Sequence, residues 1–108
     1  MNTEELVKLF YTEKQDFLKE YLSENPETEV GQLIKSLNLT KEQSVVMEKI
    51  MNSTLTDVFY TILLGLDGSA SIGGIQETYE LKDENGNQLN GEIEGYAYEY
   101  FHEQNTEK

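Results

Sequence analysis

One uninterrupted helical pattern in the middle of the chain limits the possible folds most strongly. It starts at Thr40 and Gln43, which match a capping box, in which each side chain accepts a hydrogen bond from the other residue's backbone N–H. Apolar residues then recur with a period near 3.6 until Gly65 and Gly68 end the pattern. They are Val46, Met47, Ile50, Met51, Leu55, Val58, Phe59 and Ile62. The sequence therefore predicts a long helix, or one that bends at residues 52–54.

Two more helices are predicted before this one. Asn2 and Glu5 form a second capping box, and the apolar residues after them lie on one broad face, so a first helix runs to about Ser23. Pro26 then precedes four apolar residues at helical spacing, which predicts a short second helix. Those four are Val30, Leu33, Ile34 and Leu37.

The spacing of apolar residues changes after the glycine-rich turn that follows the long helix. Ile75, Tyr79 and Leu81 alternate with polar neighbours, as in a half-buried strand. Asn85-Gly86 is a strong hairpin signal because both residues tolerate a positive φ. The pattern predicts an antiparallel β-hairpin.

The last predicted element is a C-terminal helix within residues 92–104. Its apolar residues are spaced i, i+3, i+4, i+7 and i+8, which is one face of a helix; they are Ile93, Tyr96, Ala97, Tyr100 and Phe101. The predicted fold is therefore a single α+β domain over residues 1–108. It has three N-terminal helices, the third long, then a glycine-rich turn, an antiparallel β-hairpin and the C-terminal helix.

Composition restricts the function more than the fold. The chain has no cysteine, which excludes disulfides and zinc-thiolate sites, and 21 acidic residues against 8 lysines give a net charge of -13 without any arginine. Such a field disfavours nucleic acid and anionic membranes and favours a basic partner. The first residues lack the order of a signal peptide, and residues 58–66 are too short to cross a bilayer, so we expect a cytoplasmic protein.

The spacing Asp67-x-Ser69-x-Ser71 resembles the metal-ion-dependent adhesion motif of von Willebrand A domains, which implies a Mg²⁺ site after a buried parallel strand. Here the preceding residues 59–66 have helical spacing, and residues 72–108 are too few for the rest of such a domain. The purely structural interpretation is that these small and polar residues end a helix and turn the chain. We therefore expect neither a metal nor another cofactor.

The sequence also gives no convincing catalytic set. His102 is the only histidine, and Glu99 with His102 makes a lone Glu-x-x-His, whereas di-iron bundles need two such pairs. No G-x-S-x-G elbow accompanies the serines. We do not expect an enzyme.

Two alternatives concern the helices in residues 30–51. Their short helix, three-residue turn and second helix with outward Lys41 and Lys49 match a helix-turn-helix, and the following hairpin would serve as a wing. The missing arginine and the glutamates beside the lysines weigh against such a transcriptional regulator. The apolar helices would equally suit a self-associating domain, that is, a homodimer.

The main hypothesis is protein binding through the C-terminal helix. With its apolar face turned inward, Glu94, Tyr98 and His102 form an outer stripe, flanked by Glu99. Tyrosine among carboxylates suits a protein interface with a basic partner. We therefore predict a non-enzymatic acidic binding domain, with a stoichiometric inhibitor or a bacterial immunity-type protein as one form of it. The bland alternative is that Tyr98 covers a loop and the glutamates only keep the protein dissolved.

Overall fold

The structure, a computed structural model, describes residues 1–104 and builds them from four α-helices and a π-helical turn. Helix α1 covers Thr3–Tyr21, α2 covers Glu29–Ser36, α3 covers Lys41–Leu66, α4 covers Ile93–Tyr98, and the π-helical turn Glu99–Glu103 continues α4. The last four residues of the predicted domain 1–108 lie outside the described residues.

The predicted helix starts are confirmed. In α1, Asn2 and Glu5 exchange both hydrogen bonds of a capping box at 2.8 Å. In α3, Thr40 and Gln43 do the same at 2.9 and 3.1 Å. Helix α3 continues for 26 residues without a break, so the prediction of a long helix is confirmed. None of the helices within residues 1–104 combines the length and the apolar run that a bilayer crossing needs.

The connection between α1 and α2 is closed by the Glu20 carboxylate. It accepts from the hydroxyl of Thr28 and from the backbone N–H of Glu27, both at 2.6 Å. The Thr28 hydroxyl in turn caps α2 by accepting from the N–H of Gly31 at 3.1 Å. The hydrogen bond from Thr28, and then the one from Glu27, lower the pKa of Glu20.

The buried core lies at one end of the molecule. Helices α1, α3 and α4 and the π-helical turn supply its fully buried apolar side chains, which are Val7, Leu63, Ile93, Ala97 and Phe101. We call residues 3–14, 56–66 and 93–103 the core end, and residues 15–53 the open end. The molecule measures 47 × 27 × 26 Å, and its length follows from α3, since 26 helical residues span about 39 Å.

The prediction of an α+β fold is wrong. Residues 67–92, between α3 and α4, form a loop, and no sheet occurs within residues 1–104. Two isolated antiparallel bridges remain, one between Ile72 and Ile75 and one between Lys82 and Gln88. The chain does reverse at residues 83–87, but of the predicted Asn85-Gly86 pair only Gly86 has a positive φ. Without strands, the wing of the helix-turn-helix alternative is missing from residues 1–104.

The side chain of Asn90 explains why the hairpin stops after one bridge. Its Oδ1 accepts from the backbone N–H of Leu81 at 3.0 Å, and its Nδ2 donates to the carbonyl of Tyr79 at 2.6 Å. Those two groups are the ones that a paired strand would use. Nδ2 also donates to the carbonyl of Leu66 at 3.0 Å, which ties the loop to the end of α3. The alternating side chains meanwhile cover no core, since Ile75 is 65% exposed.

Candidate partner-binding face

The C-terminal helix is held at its start by a residue from the end of α3. The carboxylate of Asp67 accepts from the backbone N–H of Glu94 at 3.0 Å and from the N–H of Gly91. Glu92, at the N-cap position, makes no capping hydrogen bond with its side chain. The Asp67 carboxylate, on the other side of the loop, caps the helix instead. The acidic residue of the metal-like motif is thus a helix cap.

The rest of that motif does not have the surroundings that a von Willebrand A site requires. Residues 59–66 are the last turns of α3 and not a strand, and Ser71 is exposed on the loop. Gly73 and Gly74 both have positive φ and turn the chain between Ile72 and Ile75. Among residues 1–104, no group of three or more histidine, aspartate or glutamate side chains is arranged to hold a metal ion.

The predicted binding residues lie on the side of the C-terminal helix that faces away from the core. Glu94 is exposed, Tyr98 is 51% exposed, and Glu99 and His102 are half-buried. The Tyr98 and His102 rings are 5.4 Å apart between centroids. The helix therefore brings Glu94, Tyr98 and His102 together as one stripe, with Glu99 beside it.

Helix α3 adds one aromatic residue to this stripe. The ring of Tyr60 meets His102 edge to face at 4.4 Å, so His102 lies between two tyrosines. Burial raises the pKa of the Tyr60 hydroxyl, and the neighbouring Glu94 and Tyr98 raise it further. The sequence pattern missed Tyr60 because α3 is apolar on nearly every side, so its period does not separate an inner from an outer face.

The Tyr60 and Tyr98 rings, which both contact His102, line an open cleft with a volume of about 740 Å³. Four carboxylate side chains line it, from Asp67, Glu92, Glu94 and Glu99. Tyrosine rings form the apolar part of its wall, and the described part of the chain brings no lysine into it. We call this the acidic cleft. An aromatic wall within carboxylates can hold a cationic side chain through cation–π contact and charge-assisted hydrogen bonds.

The other side of the helix is fixed to the core end. The Tyr100 hydroxyl donates to the carboxylate of Glu4 in α1 at 2.9 Å. The ring of Phe101 meets Tyr11 edge to face at 5.4 Å. The acidic cleft therefore stands on a rigid support, because the helix that carries it is anchored on both α1 and α3.

Comparison with known proteins gives no relative: no family model matches the chain, and no curated protein or solved structure matches it either.

Proposed function

We propose that this chain is a non-enzymatic protein-binding domain whose acidic cleft receives a basic side chain of another protein. The observation that carries the proposal is the contact of Tyr60, His102 and Tyr98 at the border of a cleft lined by carboxylates. A lysine or arginine entering there would meet ring faces and negative charge together. Tyrosine gives such an interface a large ring at a small entropic cost.

The charge of the whole chain supports a basic partner. A net charge of -13 on 108 residues draws a basic surface toward it and repels polyanions. Association should therefore be fast at low ionic strength and slower as salt screens the attraction.

The form of this function that fits the charge best is stoichiometric inhibition. A basic nuclease or toxin exposes a positive surface where it binds nucleic acid, and a compact acidic protein can cover that surface. An immunity-type role in the cytoplasm is the proposal that follows. It rests on the charge and the acidic cleft alone.

Affinity capture with matched variants tests the proposal. Tagged wild-type protein, a Tyr98→Ala/Glu94→Lys variant and a Tyr79→Ala/Glu77→Lys variant would each be incubated with lysate of the source cells at low salt, and captured proteins identified by mass spectrometry. The control pair carries the same chemical changes on the loop, where both residues are exposed. We expect a basic protein to be captured by the wild type and the control, and lost from the acidic-cleft variant.

Two results would count against it. One is a partner that the acidic-cleft variant retains as well as the wild type does. The other is a captured partner whose binding does not weaken between 0.05 and 0.5 M salt, on the order of the range over which surface attraction is screened.

A further inference from the structure

The open end exposes apolar side chains that a finished core would bury. Leu33 of α2 is 59% exposed and Leu37, its C-cap residue, is 58% exposed, so much of the apolar side of this helix faces solvent. In α3, Val46 is 54% and Ile50 is 49% exposed. The fully buried apolar side chains within residues 1–104 all lie at the core end. The open end is therefore folded but incompletely covered.

Helices α1 and α3 also leave a groove between them at this end, with a volume of about 1030 Å³. Leu18 and Leu22 of α1 and Val45 of α3 contribute its apolar wall. Gln15 and Asn52 also line the groove, and in each of them the side-chain carbonyl oxygen is buried without a hydrogen-bond partner. Unpaired buried acceptors are destabilising, so the contact between α1 and α3 beside the groove is imperfectly satisfied.

The surface area of the chain is large for its mass, because the molecule is elongated and its loop residues 71–80 are all exposed. The accessible surface is 7308 Å², whereas a compact monomer of 12.4 kDa exposes roughly 6,100 Å². The difference, roughly 1,200 Å², exceeds the 800 Å² or so that each partner buries in a standard interface. The radius of gyration, 16.0 Å, likewise exceeds the value of about 13 Å for a compact chain of this length.

Charge indicates which partner suits the groove. The groove is lined by Lys19 and Lys49 against Glu48, whereas the open end as a whole, residues 15–53, has four lysines against seven acidic residues, a net charge of -3 within a chain of -13. A basic protein would be drawn to the acidic parts of the molecule and not to this one. For a second copy, however, this is the surface on which two acidic molecules repel each other least, and where lysines of one copy can face glutamates of the other.

We propose that the open end is the two-fold interface of a homodimer, in which Leu33 and Leu37 of each copy enter the groove between α1 and α3 of the other. A two-fold arrangement uses the same surface on both copies. The two leucines of each chain therefore fill the groove of the other, and no further surface is needed to complete the dimer. The interface is separate from the acidic cleft, which stays open for a different partner.

Solution mass of the full chain tests the proposal. Light scattering after size exclusion, over about 1 to 100 µM protein at moderate salt, should approach twice 12.4 kDa for the wild type. A Leu33→Glu/Leu37→Glu variant should give the single mass with unchanged circular dichroism. A Val58→Glu/Ile75→Glu variant changes two exposed apolar residues outside residues 30–50 and should remain dimeric.

Cross-linking protects the test against a variant that fails to fold. Since the chain has no cysteine, single Leu37→Cys and Val45→Cys proteins can be mixed and treated with a short bifunctional thiol reagent. We expect a cross-linked pair containing one of each, and none from a mixture of Leu37→Cys with Ile75→Cys.

A wild type that stays at the single mass over the whole range would overturn the proposal. So would a dimer that the Leu33→Glu/Leu37→Glu variant keeps while folded, or a cross-link that forms equally well from position 75. Capture of a foreign amphipathic helix by a monomeric chain would assign the groove to another protein and overturn it too.

Discussion

Both halves of α3 carry large apolar side chains, but the surroundings of these side chains differ. Near its C-terminus, Leu63 is fully buried against α1 and α4, whereas near its N-terminus Val46 and Ile50 face solvent. The difference lies in what packs on each half, because α4 covers the core end and the short α2 does not cover the open end. An apolar helix surface is therefore no sign of burial by itself, and within residues 1–104 no element covers the open half of α3 as α4 covers the other half.

The two ends also differ in charge. The acidic cleft beside the core end is lined by four carboxylates and no lysine, while the groove at the open end is lined by Lys19 and Lys49 against Glu48. We infer that the core end attracts basic proteins and that the open end associates with a second copy. Raising the salt concentration should weaken the first interaction and strengthen the second, because it screens an attraction in one case and a repulsion in the other.

The largest expected effect is on stability at the core end. Phe101→Ala removes a fully buried ring and should lower the free energy of unfolding by about 3–5 kcal/mol. Leu37→Ala at the open end, measured in dilute monomer, should change it by less than about 0.5 kcal/mol. Denaturant titration followed by circular dichroism checks both. Equal losses would remove the distinction between the two ends.

The next effect concerns the loop that closes the core end. Asn90→Ala leaves the N–H of Leu81 and the carbonyls of Tyr79 and Leu66 without this partner, and should cost about 1–3 kcal/mol in the same titration. Asn85→Ala, on an exposed turn residue, is the control and should stay within about 0.5 kcal/mol of the wild type. If Asn90→Ala proves as mild as its control, the loop is held by other contacts.

A pair of glycines sharpens the comparison further. A Cβ at Gly31 in α2 would overlap the Cβ of buried Pro26, so Gly31→Ala should destabilise the open end by about 1–2 kcal/mol despite the better helix propensity of alanine. Gly95 in α4 has nothing within 4 Å of that position, and Gly95→Ala should stabilise by up to about 1 kcal/mol. Thermal melts decide between these opposite signs; a stabilising Gly31→Ala would mean that α2 is free to move away from Pro26.

The smallest effect is a pH dependence in the loop. The hydrogen bond from the Asn87 side chain, with the backbone N–H of Asn87 next, lowers the pKa of Asp83 from 3.8 to about 2. A lowered folded-state pKa stabilises the protein above pH 3.8, and this contribution is lost as the pH falls from about 4 through about 2. The difference in stability between the wild type and Asp83→Asn should be constant above about pH 5 and shrink toward pH 2. A difference that does not vary with pH would contradict this.

Much of the helical structure could be predicted because its signals are local. The capping boxes at Asn2 and Thr40 involve partners three residues away, and the spacing from Ile93 to Phe101 defines one helix face without knowledge of the rest. Local sequence signals gave no reason to reject the predicted hairpin. The chain does turn there, but the side chain of Asn90 takes the place of strand pairing. It accepts a hydrogen bond from the backbone N–H of Leu81, nine residues earlier.

The sequence predicted the candidate site residues on the C-terminal helix but not those that other parts of the chain contribute. Glu94, Tyr98 and His102 follow from helical spacing, but Tyr60 comes from α3, whose apolar residues surround the helix. Asp67 caps a helix that begins 26 residues later in the sequence, at Ile93. No local pattern can indicate a contact across such a loop.

Hydrogen exchange measured by mass spectrometry at two protein concentrations tests the contrast between the ends most directly. Both halves of α3 are helical, so amides in residues 56–66 and 41–50 can be compared within one element. We predict that residues 56–66 and 93–101 are strongly protected at about 1 µM and at about 100 µM alike, whereas protection of residues 29–50 rises with concentration as a second copy covers them. Protection of residues 29–50 that is already as high as that of the core end in dilute solution, and unchanged on concentrating the protein, would contradict the account.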